Sequence, residues 1–220
     1  LIYARQDQDR AHWRRELTQA LGMAVDHLSA YQLTIEPGTA FGARHAKGGL
    51  RGLPDEDLSA DMYLDTQEIC AAAGMPAYEI SNHARPGAES RHNLIYWRQG
   101  DWAAVGPGAH GRLTLPSGRW ATETHRAPGE WLHAVEARGD GESQRELLDL
   151  PGRALEYLLM AMRLVEGLEI PRYLAHGAEL PQGRLMNLAE LGLISLRGDR
   201  LAATAAGRPV LNAILRELAE

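Results

Sequence analysis

The stretch Arg91–Gly111, RHNLIYWRQGDWAAVGPGAHG, gathers histidines, large aromatics and glycines around a short apolar run. Its sequence predicts a strand over Trp102–Val105 that runs into the glycine-rich turn PGAHG, the kind of strand-to-loop junction on which α/β proteins build sites. His92, Asn93, Tyr96 and Trp97 set a nitrogen ligand among flat apolar rings. Gly106, Gly108 and Gly111 allow positive φ or close backbone approach to a ligand. The whole segment reads as a binding mouth.

Working outward, Trp13, Leu17 and Leu21 recur at a spacing of four before Gly22, which predicts a helix over residues 9–21. The run HLSAYQLTI (27–35), closed by Pro37-Gly38, predicts a strand. Leu58, Met62, Ile69 and Cys70 mark one face of a helix over 55–73, and 77–81 reads as a further strand. Strands separated by helix-length segments predict parallel β–α–β units, since parallel neighbours need a crossover of that length. Gln32 and Thr34 would then stand at one strand end, Glu79, Ser81 and Asn82 at the next, and His110 in the loop after a third.

The composition changes near Leu147. Residues 153–166, 171–176 and 184–191 predict helices. Leu193–Leu196 and Leu201–Thr204 flank the turn Arg197–Arg200 as a hairpin, and Val210, Leu211, Ile214, Leu215 and Leu218 stripe a terminal helix. Helices, a hairpin and a helix describe a winged-helix-like α+β module over 148–220, following an α/β domain over 1–147. A DNA-binding role for that module lacks the cationic surface that phosphate contacts require, because residues 151–220 hold eight arginines and eight acids.

Charge and composition bound the function further. The net charge of −6 over 220 residues gives no basic footprint for nucleic acid, and no apolar run reaches membrane-spanning length. Residues 82–126 nevertheless carry six arginines (85, 91, 98, 112, 119, 126) against three acids, which fits either an anionic ligand or a solvated arginine-rich face. The single cysteine, Cys70, excludes an internal disulfide and reads as helix packing. With no targeting segment in view, the expected compartment is the reducing cytoplasm. The chain opens on Leu1-Ile2-Tyr3, which resembles the inside of a strand and suggests further sequence upstream.

His92 admits two readings, an axial ligand for heme iron covered by aromatics with arginines for the propionates, or a hydrogen-bonded structural histidine. Glu79 is either a buried acid or base, or an acceptor for backbone donors. Neither a nucleophile elbow, a P-loop nor a paired-cysteine zinc pattern is present.

In order and spacing, LIYARQDQ, YQLTIEPGTAF, YEISNHARPG, RHNLIYWRQGDW, VGPGAHGR and LAELGLISLRGDRLAATAAG resemble the later part of the HemW heme chaperones. These are relatives of the oxygen-independent coproporphyrinogen III oxidases within the radical S-adenosylmethionine (SAM) superfamily. The resemblance spans essentially the whole chain. It implies the later portion of an incomplete radical-SAM (β/α) barrel followed by the family's C-terminal domain, and a heme chaperone that delivers heme to respiratory enzymes. HNLIYW is similar to the family's HNxxYW motif, which implies that His92, Asn93, Tyr96 and Trp97 associate with heme, with His92 as an iron ligand. Thr34 and His110 are similar to positions at the SAM site of the oxidase branch. A homodimer is compatible with the resemblance, and porphyrinogen oxidation is its alternative activity. Family members hold a [4Fe-4S] cluster on CxxxCxxC, whereas these residues include only Cys70, so cluster and SAM chemistry is expected only of a full-length protein.

Overall fold

The computed structural model describes residues 1–219, which divide into two compact units, one over residues 1–90 and one from residue 91 onward. In the first, β1 (Ile2–Tyr3) leads through α1 (Arg10–Met23) to β2 (His27–Ser29) and β3 (Tyr31–Gln32); α2 (Ala40–Ala46), α3 (Glu56–Ala72) and β4 (Asn82–Ala84) follow. β1 and β3 pair in parallel, Ile2 with Tyr31 and Tyr3 with Gln32, so α1 is the crossover of a β–α–β unit as its spacing predicts. Asp9 and Asp55 cap α1 and α3 by accepting from the backbone N–H of His12 and Leu58.

The apolar faces of the two long helices close on one core. Trp13, Leu17, Met62 and Cys70 are buried there with Tyr3. Tyr3 stacks on Trp13 with ring centroids 4.9 Å apart, and the indole N–H donates to Thr66 Oγ1 at 2.9 Å. That bond satisfies the one polar atom the indole would otherwise bury alone. Burial pushes the Cys70 thiol up to about 11, so it stays protonated and packs as a small apolar side chain. At the rim, Asp65 is only 1% exposed and pairs with both Arg10 and Arg14.

The strand expected over 77–81 is a turn. Only Ala77 forms a bridge, to His83, and the strand proper is β4, antiparallel to β2. Glu79 accounts for the difference. Its carboxylate is buried and takes its donors locally, from the Ser81 backbone N–H at 3.0 Å and from Asn82 Nδ2, which curls the chain back on itself. Of the two readings of Glu79, the structure supports the acceptor for local donors.

In the second unit come α4 (Arg91–Trp97), β5 (His110–Leu115), β6 (Gly118–Thr124), α5 (Pro128–Arg138) and β7 (Glu142–Leu147). Then follow α6 (Leu150–Ala161), β8 (Leu168–Glu169), α7 (Ile170–Ala175), α8 (Gln182–Glu190), β9 (Ile194–Arg197), β10 (Arg200–Ala203) and α9 (Leu211–Ala219). The strands form two antiparallel sheets, β5-β6-β7 and β8-β10-β9. The hairpin expected near 193–204 is β9–β10, and β8 adds a third strand to it. α9 buries Leu211, Ile214, Leu215 and Leu218, while Val210 lies outside that stripe on a short 3-10 turn. Among the described residues no strands close into a barrel.

Two expectations fail here. The strand expected over 102–105 makes only one bridge, from Trp102 to Arg112, while HNLIYW lies on the helix α4. His110, expected in a loop, is the first residue of β5.

Replacing Trp13 by Ala empties the centre of the first unit and removes the partner of Thr66, so denaturant unfolding should show a loss of about 3–5 kcal/mol. Trp13→Phe, which keeps most of the volume, should lose markedly less.

Candidate functional site

α4 ends in a left-handed turn at Gln99 (φ 52°), where the Gly100 N–H donates to the Ile95 carbonyl at 2.7 Å and the Gln99 N–H to the Tyr96 carbonyl at 2.9 Å. Gln99 is buried and donates through its amide to the Arg153 carbonyl at 2.7 Å. Its Oε1 lies 3.3 Å from His176 Nε2. Arg172 donates to the carbonyls of Arg98 (2.9 Å) and Gln99 (3.2 Å), and Arg98 pairs with Glu166 at 2.8 Å. The helix end is therefore moored by polar groups from α6, α7 and the segment between them.

On the exposed part of α4, His92 and Tyr96 stand one turn apart on the same face. The Tyr96 hydroxyl is 3.1 Å from His92 Nε2, with the rings edge to face at 4.8 Å. Tyr96 in turn meets Trp102 at 4.5 Å between centroids, and the Trp102 indole N–H donates to the His110 carbonyl at 2.9 Å. Asn93 and Trp97 are half-buried. Arg163 lies over the Trp97 ring at 5.7 Å, and the buried Trp97 Nε1 finds no acceptor among the described residues.

The PGAHG turn is tied down by Thr124. Its hydroxyl donates to the Gly106 carbonyl at 2.6 Å and accepts from the Ala109 N–H at 2.8 Å. Gly106 and Gly108 sit at positive φ. Gly111 is needed for space, because a Cβ there would fall 2.5 Å from Thr122 Oγ1 and 2.8 Å from the Ala104 nitrogen. The His110 side chain is exposed, with Nδ1 3.4 Å from Glu123 Oε1 across the ladder. Thr34, at the end of β3 in the first unit, is exposed and reaches only the Gln32 carbonyl at 3.4 Å.

Beneath the site, Arg119 on β6 has a side chain only 5% exposed. It donates to Asp101 Oδ1 (2.8 Å), the Gly100 carbonyl (2.9 Å) and Thr114 Oγ1 (3.2 Å), and it lies 3.7 Å from Glu156, which Arg112 pairs at 2.6 Å. Burial lowers the Arg119 pKa, opposed by Glu156 and Asp101. Burial pushes Asp101 up, but bonds from the Thr114 N–H and hydroxyl, together with Arg119, hold it below the usual carboxylate value. Burial, and then the charges of Arg153, Arg172 and Arg119, depress the His176 pKa.

Neither Trp102, Arg119 nor Glu156 stood out as a site residue in the sequence. For Trp102 the signal was present, an aromatic inside the decisive stretch. For Glu156, 44 residues beyond Arg112, there was none. The excess positive charge over 82–126 is also largely answered in space: Arg98, Arg112 and Arg119 all meet carboxylates, two of which, Glu156 and Glu166, lie far along the chain. Among the described residues, no three histidine, cysteine or carboxylate side chains gather as a metal site.

No family model matches the chain. A solved structure of the coproporphyrinogen III oxidase HemN from Escherichia coli, described as a radical SAM enzyme, superposes with a TM-score of 0.71 at 17% identity, over 99% of this chain and 53% of that one. The fold is thus the later portion of the radical SAM architecture. In sequence, the chain is 35% identical over 218 residues to the heme chaperone HemW of Mycobacterium tuberculosis, covering 99% of this chain and 54% of that protein. It is 32% identical over 219 residues to the heme chaperone HemW of Escherichia coli, covering 98% and 55%. It is 33% identical over 227 residues to the mitochondrial radical S-adenosyl methionine domain-containing protein 1 of Danio rerio, covering 98% and 51%. Over nearly its whole length the chain is similar to the C-terminal part of the HemW heme chaperones. It spans about half the length of the curated relatives it matches.

Arg119→Met should destabilise the chain by about 3 kcal/mol in denaturant unfolding, since it leaves Asp101 and the Gly100 carbonyl without their buried cation. His176 supplies a pH test. Its folded pKa lies below the ordinary 6.5, so the unfolded chain takes up more protons in acid. Stability is therefore complete above that value and declines as pH falls below it. Between about pH 7.5 and 5.5 the unfolding midpoint of the wild type should drop further than that of His176→Gln.

Proposed function

We propose that the protein carrying this chain is a cytoplasmic heme chaperone that binds heme at α4 and delivers it to respiratory enzymes. One observation carries the proposal: HNLIYW folds as a helix on which the exposed His92 imidazole meets the half-buried Tyr96 phenol, beside half-buried Trp97 and Trp102. The names of the relatives support heme as the ligand.

The donor set suits heme. His92 is exposed, and the group bonded to its ring is a neutral phenol and not a carboxylate. When Nε2–H donates to Tyr96, the lone pair on Nδ1 is open for iron, the arrangement by which an outer partner orients a ligating histidine. Tyr96, Trp97 and Trp102 offer apolar flanks, and the exposed Arg91 and Arg126 are candidates for the propionates. Heme bound there would be the cargo. The work of these residues is to hold it, orient it and limit its exposure to water until transfer. No helix among the described residues is long and apolar enough to cross a membrane.

A [4Fe-4S] cluster does not fit these residues. Cys70 is the one thiol, buried in the first core and protonated. We assign the cluster and SAM to the part of the full-length protein that these residues do not span. The fold shared with HemN favours a second reading, oxidation of coproporphyrinogen III. Product formation by the full-length, cluster-reconstituted protein would establish that alternative.

His92→Ala should weaken ferric heme binding on the order of tenfold or more and shift the Soret band of the complex, read by optical titration. An unchanged affinity and spectrum would remove His92 from the site.

A further inference from the structure

Trp102 lies outside the HNLIYW hexad, yet it is the most firmly held ring in this neighbourhood. Its backbone exchanges two hydrogen bonds with Arg112, at 2.8 and 2.9 Å. Its indole N–H is anchored on the His110 carbonyl, and the Arg112 guanidinium, itself paired with Glu156, stands 5.8 Å from its ring centroid. Tyr96 rests against this ring, inclined at 62°. His92 makes its ring contact and its hydrogen bond with Tyr96.

Position therefore passes in one direction, from the backbone through Trp102 to Tyr96 and then to His92. The far end of this ladder is solvent-exposed and buries little area, so its order contributes little to folding. Holding exposed side chains in a single arrangement also costs rotamer entropy. Such order is what a preorganised ligand needs: an imidazole whose orientation and tautomer are set by a hydroxyl that is itself fixed.

We propose that Trp102 is a positioning residue for the His92–Tyr96 pair, acting through Tyr96 and linking the PGAHG turn to the ligand helix. It rests on the heme reading for the identity of the ligand. No contact between Trp102 and heme is part of it.

The test is a double-mutant cycle on the full chain with ferric heme as the probe. Trp102→Leu removes the ring, and Trp102→Phe keeps a ring but loses the anchor on His110. Each is made in the wild type and in His92→Ala, with thermal unfolding to confirm folding. In the wild-type background Trp102→Leu should weaken heme binding about tenfold and Trp102→Phe less, while in His92→Ala neither should add a further loss. Nitrogen-15 spectra of the histidine side chains, recorded without heme, should show His92 passing from one tautomer to a mixture in Trp102→Leu.

Equal losses in both backgrounds, or no loss in either, would overturn the proposal. If His92→Ala itself leaves binding intact, the heme role of His92 falls, and the nitrogen-15 spectra still decide whether Trp102 positions it. An unchanged tautomer defeats that claim. Should Trp102→Leu fail to fold, Trp102→Phe carries the same cycle.

Discussion

The guanidinium of Arg119 is the constraint on which the rest of the second unit depends. Withdrawn from water, the cation is met through its two terminal nitrogens, and their partners come from separate parts of the chain. Gly100 and Asp101 lie just after α4, Thr114 lies on β5, and Glu156 lies on α6. These bonds join the end of α4, the β5–β6 hairpin and the helices that follow. Trp102 follows immediately after Asp101, so its placement is a direct consequence. The cluster of Arg112, Arg119, Asp101 and Glu156 is formally neutral, which makes its burial tolerable.

This changes the electrostatic character of the site. Counted along the sequence, the neighbourhood is cationic. In space, Glu156 and Glu166 close over Arg112 and Arg98, and the cations left exposed without a carboxylate partner include Arg91 and Arg126. Local charge counting overstates an anion site when the opposing charges arrive from another element. Meanwhile the exposed face of α4 keeps a neutral, aromatic character that suits a flat apolar ligand.

The amphipathic helices were legible because each has an apolar stripe and clear ends. Trp13 and Leu17 on α1, Met62 and Cys70 on α3, and the leucines of α9 are buried as their spacing requires. The β9–β10 hairpin was legible from its Gly-Asp turn. The β5-β6-β7 sheet was not, because β6 buries the polar side chains of Arg119, Thr122 and Thr124, which fall on both faces of the strand, so no apolar alternation marks it. α4 carries no clear signal in sequence: a short apolar run such as LIYW fits strand and helix alike, and what ends it as a helix is the left-handed turn at Gln99, where a glycine is the usual cue.

Sequence alone determined the α/β class, the C-terminal helices with their hairpin, and the resemblance to HemW, because these rest on periodicity and on residues adjacent in the chain. Tertiary structure alone decided that exposed His92 and half-buried Tyr96 meet on one helical face, that the Trp102 ring rests against Tyr96, and which arginines are already neutralised. Those properties depend on groups brought together from distant positions, Arg119 with Glu156 and Gln99 with His176 among them. Such buried polar groups meet their partners only once the chain has folded.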